Sequence, residues 1–338
     1  MQVMGSRAQT RMIVDDTSQV GDCRRAAQRL ATTYDFDETP VGRIGIIATE
    51  LANNLIKHAS RGELLLQAIE GGAGTCIELV AIDRGPGMNL ELCMRDGYST
   101  TGTPGTGLGA IKRLSTLFDA YSQIGQGTVA VSRVTDARMA KPATTPDFGA
   151  VSVALKGEVE CGDLWRVAIR EGALAMLVVD GLGHGPLAAN AAKSAAVAFE
   201  KRPFDNPADA MRGLNAALAG GRGAAAAVAL LDTNRHKILY SGIGNIAGSL
   251  ACAGKSRGLV SHNGILGTLV RRYQQFDYDC VARDRIVMHS DGLSSRWSIA
   301  DYPGLSLRHA AVIAGVLYRD HGRPKDDATI VVSGGTQP

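Results

Sequence analysis

"LAMLVVDGLGHGPLA", Leu174 to Ala188, runs from an unbroken apolar stretch into an acid, a glycine-punctuated loop with one histidine, and a proline. The apolar part is short, β-branched toward its end and closed by glycine, which predicts a buried strand over 174–180. Asp180 then stands at the strand terminus, and Pro186 opens a helix, because proline suits the first helical turn. An Asp-Gly pair after a strand is commonly no more than a turn. Three other stretches argue against that reading here. "VECGD" places Asp163 upstream, "VMHSDG" ends an apolar run on Asp291, and "KDDATIVV" sets Asp326 and Asp327 just before another. Carboxylates that meet at strand ends repel one another unless a cation lies between them, and hard oxygen donors suit Mg²⁺ or Mn²⁺. The pattern predicts that these strand ends converge.

Outward from that strand, the hydrophobic pattern predicts further strands near 150–156, 164–170, 225–232, 236–243, 247–252, 285–290 and 328–333. Helices are expected at 186–201, 207–219 and 306–318. "GGRGAAAAVALL", Gly220 to Leu231, reads as a glycine turn and a buried strand. Many strands with helices grouped between them predict a sandwich flanked by helices. Upstream, "TDARMAKPATTPDFG" breaks the pattern with prolines and small residues, which places a linker at 136–147 between domains at 10–135 and 148–334. The first of these reads as helices at 18–33 and 40–58, strands at 63–69 and 75–82, a glycine-rich loop, a helix from 107 and two closing strands. The fold class is α+β.

Composition sets the bounds. The chain has 338 residues, 45% of them hydrophobic and 20% charged, enough for two cores of ordinary size. No apolar run approaches the roughly 20 residues that span a bilayer, and the first residues lack the apolar stretch of a signal peptide, so a cytoplasmic location is expected. Cys23, Cys76, Cys93, Cys161, Cys252 and Cys280 show no paired spacing, which fits neither a zinc knuckle nor a disulfide framework. A formal charge of +3 with mixed signs and no basic tract gives no support for nucleic-acid or membrane binding.

In the first half, "ETPVGRIGIIATELANNLIKHA" predicts a helix with Thr39 as N-cap and Pro40 in the first position. Ile44, Ala48, Leu51 and Leu55 make an apolar stripe, and Glu50 and Asn54, four apart, share the neighbouring flank. A solvated face would explain that pair by itself. Two glycine stretches shift the balance: "AIDRGPGM", a strand ending in Asp83 before Gly85 and Gly87, and "GTPGTGLGAIKRL", leading into a helix. Glycines let backbone amides approach a phosphate, and a helix N-terminus favours the anion.

In this order and spacing these features resemble the Bergerat ATP-binding fold, an α/β sandwich shared by histidine kinases, gyrase and the anti-sigma serine kinases. The wording "ELANNLIKHA" is closest to the small RsbT- and RsbW-like serine kinases of partner-switching modules. The resemblance implies that Glu50 polarises the attacking hydroxyl and Asn54 ligates Mg²⁺ at the nucleotide. It implies that Asp83, with Gly85 and Gly87, receives the adenine of ATP, and that Gly105, Thr106, Gly107, Leu108 and Gly109 form the phosphate loop.

The motifs "CGD", "VVDGLGHG", "HSDG" and "DDAT" occur in the order seen in SpoIIE/RsbX-like metal-dependent phosphatases, whose fold is the PPM-type α-β-β-α sandwich. That resemblance implies that Asp180 and the Gly181 carbonyl bridge two Mn²⁺ or Mg²⁺ ions, that Asp291 and Asp326 complete them, and that Asp163 supports the site. Two divalent ions a few ångströms apart lower the pKa of water and neutralise phosphate charge, so no cysteine or serine nucleophile is required. His184 does not stand at the position of the general-acid histidine of the larger eukaryotic enzymes and reads as a loop residue; Asp327 reads as a neighbour of the ligand Asp326.

The leading functional reading is a bifunctional bacterial switch protein that phosphorylates and dephosphorylates a STAS-domain antagonist, within a pathway that ends on a sigma factor or a stressosome-like complex. A reading from the binding class makes the first half an ATP-gated anti-sigma factor or adaptor without phosphotransfer. The sequence leaves the oligomeric state open, a homodimer included.

Overall fold

The structure, a computed structural model, describes the chain except residues 7–8, 60, 72–73, 94–106, 137–146, 253–254, 271, 282 and 335–338. In chain order the elements are β1 (Gln2–Gly5), β2 (Thr10–Val14), α1 (Ser18–Thr33), α2 (Glu38–Ala59), β3 (Gly62–Gly71), β4 (Gly74–Asp83), α3 (Leu90–Cys93), α4 (Gly107–Leu114), β5 (Leu117–Gln123) and β6 (Gly127–Thr135). There follow β7 (Phe148–Val153), β8 (Asp163–Arg170), β9 (Ala173–Gly181), α5 (Pro186–Lys201), α6 (Pro207–Leu218), β10 (Ala224–Asp232), β11 (Lys237–Ile243), β12 (Ala247–Cys252) and β13 (Lys255–Leu259). The chain closes with β14 (Ser261–His262), β15 (Phe276–Asp279), β16 (Arg285–His289), two short 3-10 turns, α7 (Ala310–His321) and β17 (Ala328–Ser333). Two compact units result: Gln9–Ala140, and Lys141–Pro338 together with Met1–Ala8.

The first unit is an antiparallel sheet ordered β2-β3-β4-β6-β5. One face carries α1, α2 and α4. The apolar stripe of α2, Ile44, Ile47, Ala48, Leu51 and Leu55, meets Leu64 and Leu66 of β3 and Ile77 and Leu79 of β4. Glu50 and Asn54 are left half-buried at the margin of that contact. The helix begins at Glu38, so Thr39 lies inside its first turn and is not the N-cap. Amides of a first turn have no partner within the helix, which lets Pro40 sit anywhere in it, and an acid at Glu38 favours the positive helix end.

The second unit has two sheets face to face. One runs β1-β8-β9-β10-β11, with β14 and β15 on β11; the other runs β13-β12-β16-β17-β7. Helices α5 and α6 cover the first sheet and α7 covers the second, giving the four-layer α-β-β-α sandwich. Alanines dominate the buried side of α5, at Ala188, Ala189, Ala192, Ala195 and Ala196, so the helix lies close against its strands. Asn206 caps α6 by accepting from the Ala208 amide at 2.9 Å, with Pro207 at the first helical position. The expected helix at 306–318 is displaced: α7 starts at Ala310, because His309 and Asp147 accept from the Ala311 and Ala310 amides and fix the start there. No helix of the described residues is long and apolar enough to cross a membrane.

Candidate functional site

Four of the acids singled out in the second unit are delivered to one end of its sandwich by opposed strand directions. Asp163 opens β8 and Asp180 lies near the end of β9, and the antiparallel register sets them opposite each other. From the other sheet, Asp291 follows β16 and Asp326 precedes β17, also an antiparallel pair. The two loops lie so close that a Cβ on Gly292 would stand 1.9 Å from the Asp327 carbonyl oxygen, which only glycine allows. Two links join the sheets. Ser290 Oγ donates to Asp163 Oδ2 at 2.6 Å, and the Asp327 carboxylate accepts from the amides of Leu155 at 2.7 Å and Gly162 at 2.8 Å.

The electrostatics follow from this crowding. Burial, then the charges of Asp291 and Asp326, push the Asp180 carboxyl up to about 7. Burial and the charge of Asp180 raise Asp163 well above the usual carboxylate range, against the opposing hydrogen bond from Ser290. Asp326, exposed at the rim, is raised by its partial burial and by Asp291. Burial is the larger cause in each case, and the neighbouring carboxylates add to it.

In the first unit, the end of β4 and the turn joining β5 to β6 are tied together. Asp83 Oδ1 accepts from the amides of Gly85 at 2.7 Å and Thr128 at 3.2 Å. Gly87 adopts φ +70°, and a Cβ there would stand 2.2 Å from the Gln123 carbonyl oxygen. The same loop reaches the end of α2, where a Cβ on Gly85 would meet the His58 carbonyl oxygen at 2.8 Å. At the start of α4, a Cβ on Gly107 would be 3.9 Å from Asn54 Oδ1. Leu108 is buried against α2, and Gly109 is half-buried beside it. Gly105 and Thr106 lie outside the described residues.

The family profile of the histidine kinase-like ATPase domain matches residues 13–133, and that of stage II sporulation protein E (SpoIIE) matches residues 170–334. The serine/threonine-protein kinase RsbT of Bacillus subtilis (strain 168) is 31% identical over 106 residues, which are 31% of this chain and 80% of that protein. The chain belongs with the RsbT-like histidine kinase-like ATPases, and its residues 170–334 form a SpoIIE-type phosphatase domain. A solved structure described as "The bacterial stressosome: a modular system that has been adapted to control secondary messenger signaling" is 27% identical with a TM-score of 0.52, over 56% of this chain and 99% of that one. RsbX in complex with magnesium shares the fold at 20% identity and TM-score 0.52, over 57% of this chain and 97% of its own. The second half is thus a metal-dependent serine/threonine phosphatase domain, and the first a kinase-like ATPase domain.

The acids of the SpoIIE domain fit divalent ions in donor chemistry: all are hard oxygen ligands, and their raised carboxyls report negative charge that a cation would offset. Among the described residues no three His, Cys, Asp or Glu side chains stand close enough to hold an ion by themselves, so water and backbone oxygen would have to complete a shell. Asp327 is committed to two backbone amides and buried, which makes it a brace for the site. His184 pairs with Glu158, Nδ1 to Oε1 at 2.7 Å, and holds the loop after Asp180.

Sequence reasoning missed Asn245, whose Nδ2 donates to Asp291 Oδ2 at 2.7 Å and whose amide also lowers the Asp180 carboxyl's affinity for protons. It missed Ser290 as the link between sheets. The only signals were an Asn in the turn "GIGN" and a Ser beside the Asp of "HSDG".

Proposed function

We propose that this protein is a bifunctional cytoplasmic regulator that phosphorylates and dephosphorylates one serine or threonine on a STAS-domain antagonist in a bacterial partner switch. The phosphatase reading is supported by the register that sets Asp163 opposite Asp180, with Asp291 and Asp326 at the neighbouring strand ends of the other sheet. Asp180, the Gly181 carbonyl, Asp291 and Asp326 would hold two Mn²⁺ or Mg²⁺ ions, with Asp163, held by Ser290, supporting the site from the facing strand. Bound there, the ions supply acidified water and neutralise phosphate charge. Asn245 orients Asp291, and Asp327 fixes the backbone around the site.

The kinase-like domain would bind Mg-ATP with Asn54 toward the metal, Asp83, Gly85 and Gly87 at the adenine, and residues 105–109 at the phosphates. The adjacency of Gly107 and Asn54 supports this, since it puts the metal-binding amide at the helix end that favours phosphate. Glu50, one turn before Asn54, would accept the proton of the attacking hydroxyl. Kinship with the kinase RsbT and likeness to a stressosome-associated structure support a STAS-type partner.

The test is phosphate incorporation into, and release from, a purified STAS-domain protein of the same genome with radiolabelled ATP. Glu50→Ala should abolish incorporation and spare release; Asp291→Asn should do the reverse, so that phosphorylated antagonist accumulates. If ATP binds tightly but no STAS protein is labelled, the first half is an ATP-gated adaptor.

A further inference from the structure

We propose that Arg222 receives the phosphate group of the phosphoserine or phosphothreonine substrate at the SpoIIE-type site. This rests on the phosphatase reading and adds to it the residue that selects a phosphate dianion. Arg222 lies in the glycine turn that leads into β10, and β10 pairs with β9 so that Ala224 stands opposite Gly181 and Ala225 opposite Asp180. Its guanidinium is laid along the loop that leaves Asp180: a Cβ on Gly183 would stand 3.2 Å from Arg222 Nη2 and 3.4 Å from Cζ. A side chain at 183 would therefore push the cation off the loop.

The backbone that carries Arg222 is held on both sides. Leu182 N donates to the Gly223 carbonyl at 3.1 Å, while Ala224 and Leu266 exchange both backbone hydrogen bonds at 3.1 and 2.8 Å. Gly223 takes φ +83° and is enclosed by Leu182 and Ile265, partly exposed apolar side chains at 37% and 39%. Fixed backbone beneath an exposed side chain is what a pre-positioned binding group requires.

Arg222 itself is uncommitted. It is exposed and makes no hydrogen bond or ion pair among the described residues. Its neighbour His184, by contrast, is engaged by Glu158. The acids at this end of the sandwich disfavour an incoming dianion, so a substrate phosphate needs a cation supplied by the chain beside whatever ions the acids hold. A guanidinium offers two parallel N–H donors to two phosphate oxygens, which a lysine cannot match.

The experiment uses the full chain with Mn²⁺, para-nitrophenyl phosphate and a phosphoserine peptide as substrates, and inorganic phosphate as inhibitor. Arg222→Ala should raise KM for the peptide and Ki for phosphate by roughly 10- to 100-fold, with a smaller change in kcat, as expected for loss of a charge-assisted contact. Arg222→Lys should recover part of the loss, since it restores charge without the fork. The melting temperature should be unchanged, the side chain being exposed and unpaired. Peptide KM and phosphate Ki within about twofold of wild type for Arg222→Ala would overturn the assignment, and so would a marked drop in melting temperature, which would make Arg222 structural. If the wild type hydrolyses neither substrate, the phosphatase reading itself falls, and the assignment with it.

Discussion

Asp163 and Asp180 face each other across the β8–β9 ladder, one carboxylate directly opposite another. Both are held above the ordinary carboxylate range, Asp180 up to about 7, by burial and by neighbouring acids. The folded chain therefore binds protons that the unfolded chain has already released, across a window from about 4 to about 7. Metal-free stability from these groups is greatest below that window and is lost as pH rises through it. With a chelator present, wild type should lose melting temperature relative to Asp180→Asn as pH goes from about 5 to about 8, and Mn²⁺ should restore it at the upper end. A difference that stays constant over that range would show that the acids are not coupled.

At neutral pH, Asp180→Asn should leave folding intact or improve it without metal, because it removes one of the repelling charges. Mn²⁺-dependent phosphatase turnover should fall by at least about a hundredfold. Scanning calorimetry and a phosphoserine peptide assay on the same preparation check both halves. Normal turnover would remove Asp180 from the proposed ligand set.

Neighbouring acids at 326 and 327 should part company. Asp327→Ala strips the acceptor from the amides of Leu155 and Gly162 and should cost about 2 to 4 kcal/mol of stability. Asp326→Ala, at an exposed rim position, should cost little stability while abolishing Mn²⁺-dependent turnover. Chemical denaturation resolves the first effect and the peptide assay the second. Equal stabilities for the two variants would contradict the division.

In the kinase-like domain, Asp83→Asn keeps an oxygen that can accept from Gly85 and Thr128, so the fold should persist while nucleotide affinity drops by about 1.5 to 3 kcal/mol. Gly87→Ala is different in kind. Its φ of +70° and the Gln123 carbonyl oxygen 2.2 Å from a Cβ force the loop to move, so both nucleotide binding and stability should fall. Calorimetric titration with Mg-ATP separates the cases.

Legibility tracked locality. The strand Leu174–Asp180 and the helix bearing Glu50 and Asn54 could be read because their periodicity and punctuation are contained in the stretch itself. The register that sets Asp163 against Asp180 could be anticipated only as convergence, since pairing is a property of two strands. Asn245 and Arg222 gave little signal: each is a single polar residue in a glycine turn, and its importance comes from where a distant loop runs. Strands β1, β2 and β13 to β15 escaped for another reason. β13 is largely exposed and polar, β14 has two residues, and β1 has four, too few to show a period. Burial enforces alternation, and these strands are buried too little to carry it.

Strand β1 also imposes an order of events on synthesis. Val3 pairs with Ala168, so a segment made before the first unit must wait for β8 until that whole unit and the start of the second have been made. At about 5 to 20 residues per second that wait is on the order of 10 to 30 seconds. During it, residues 9–140 can fold while residues 2–5 lack the β8 edge they pair with. The unit carrying the acids is therefore sewn shut by a strand made before the whole of the other unit, and a nascent chain halted inside that unit has not yet made the β8 edge which this strand joins.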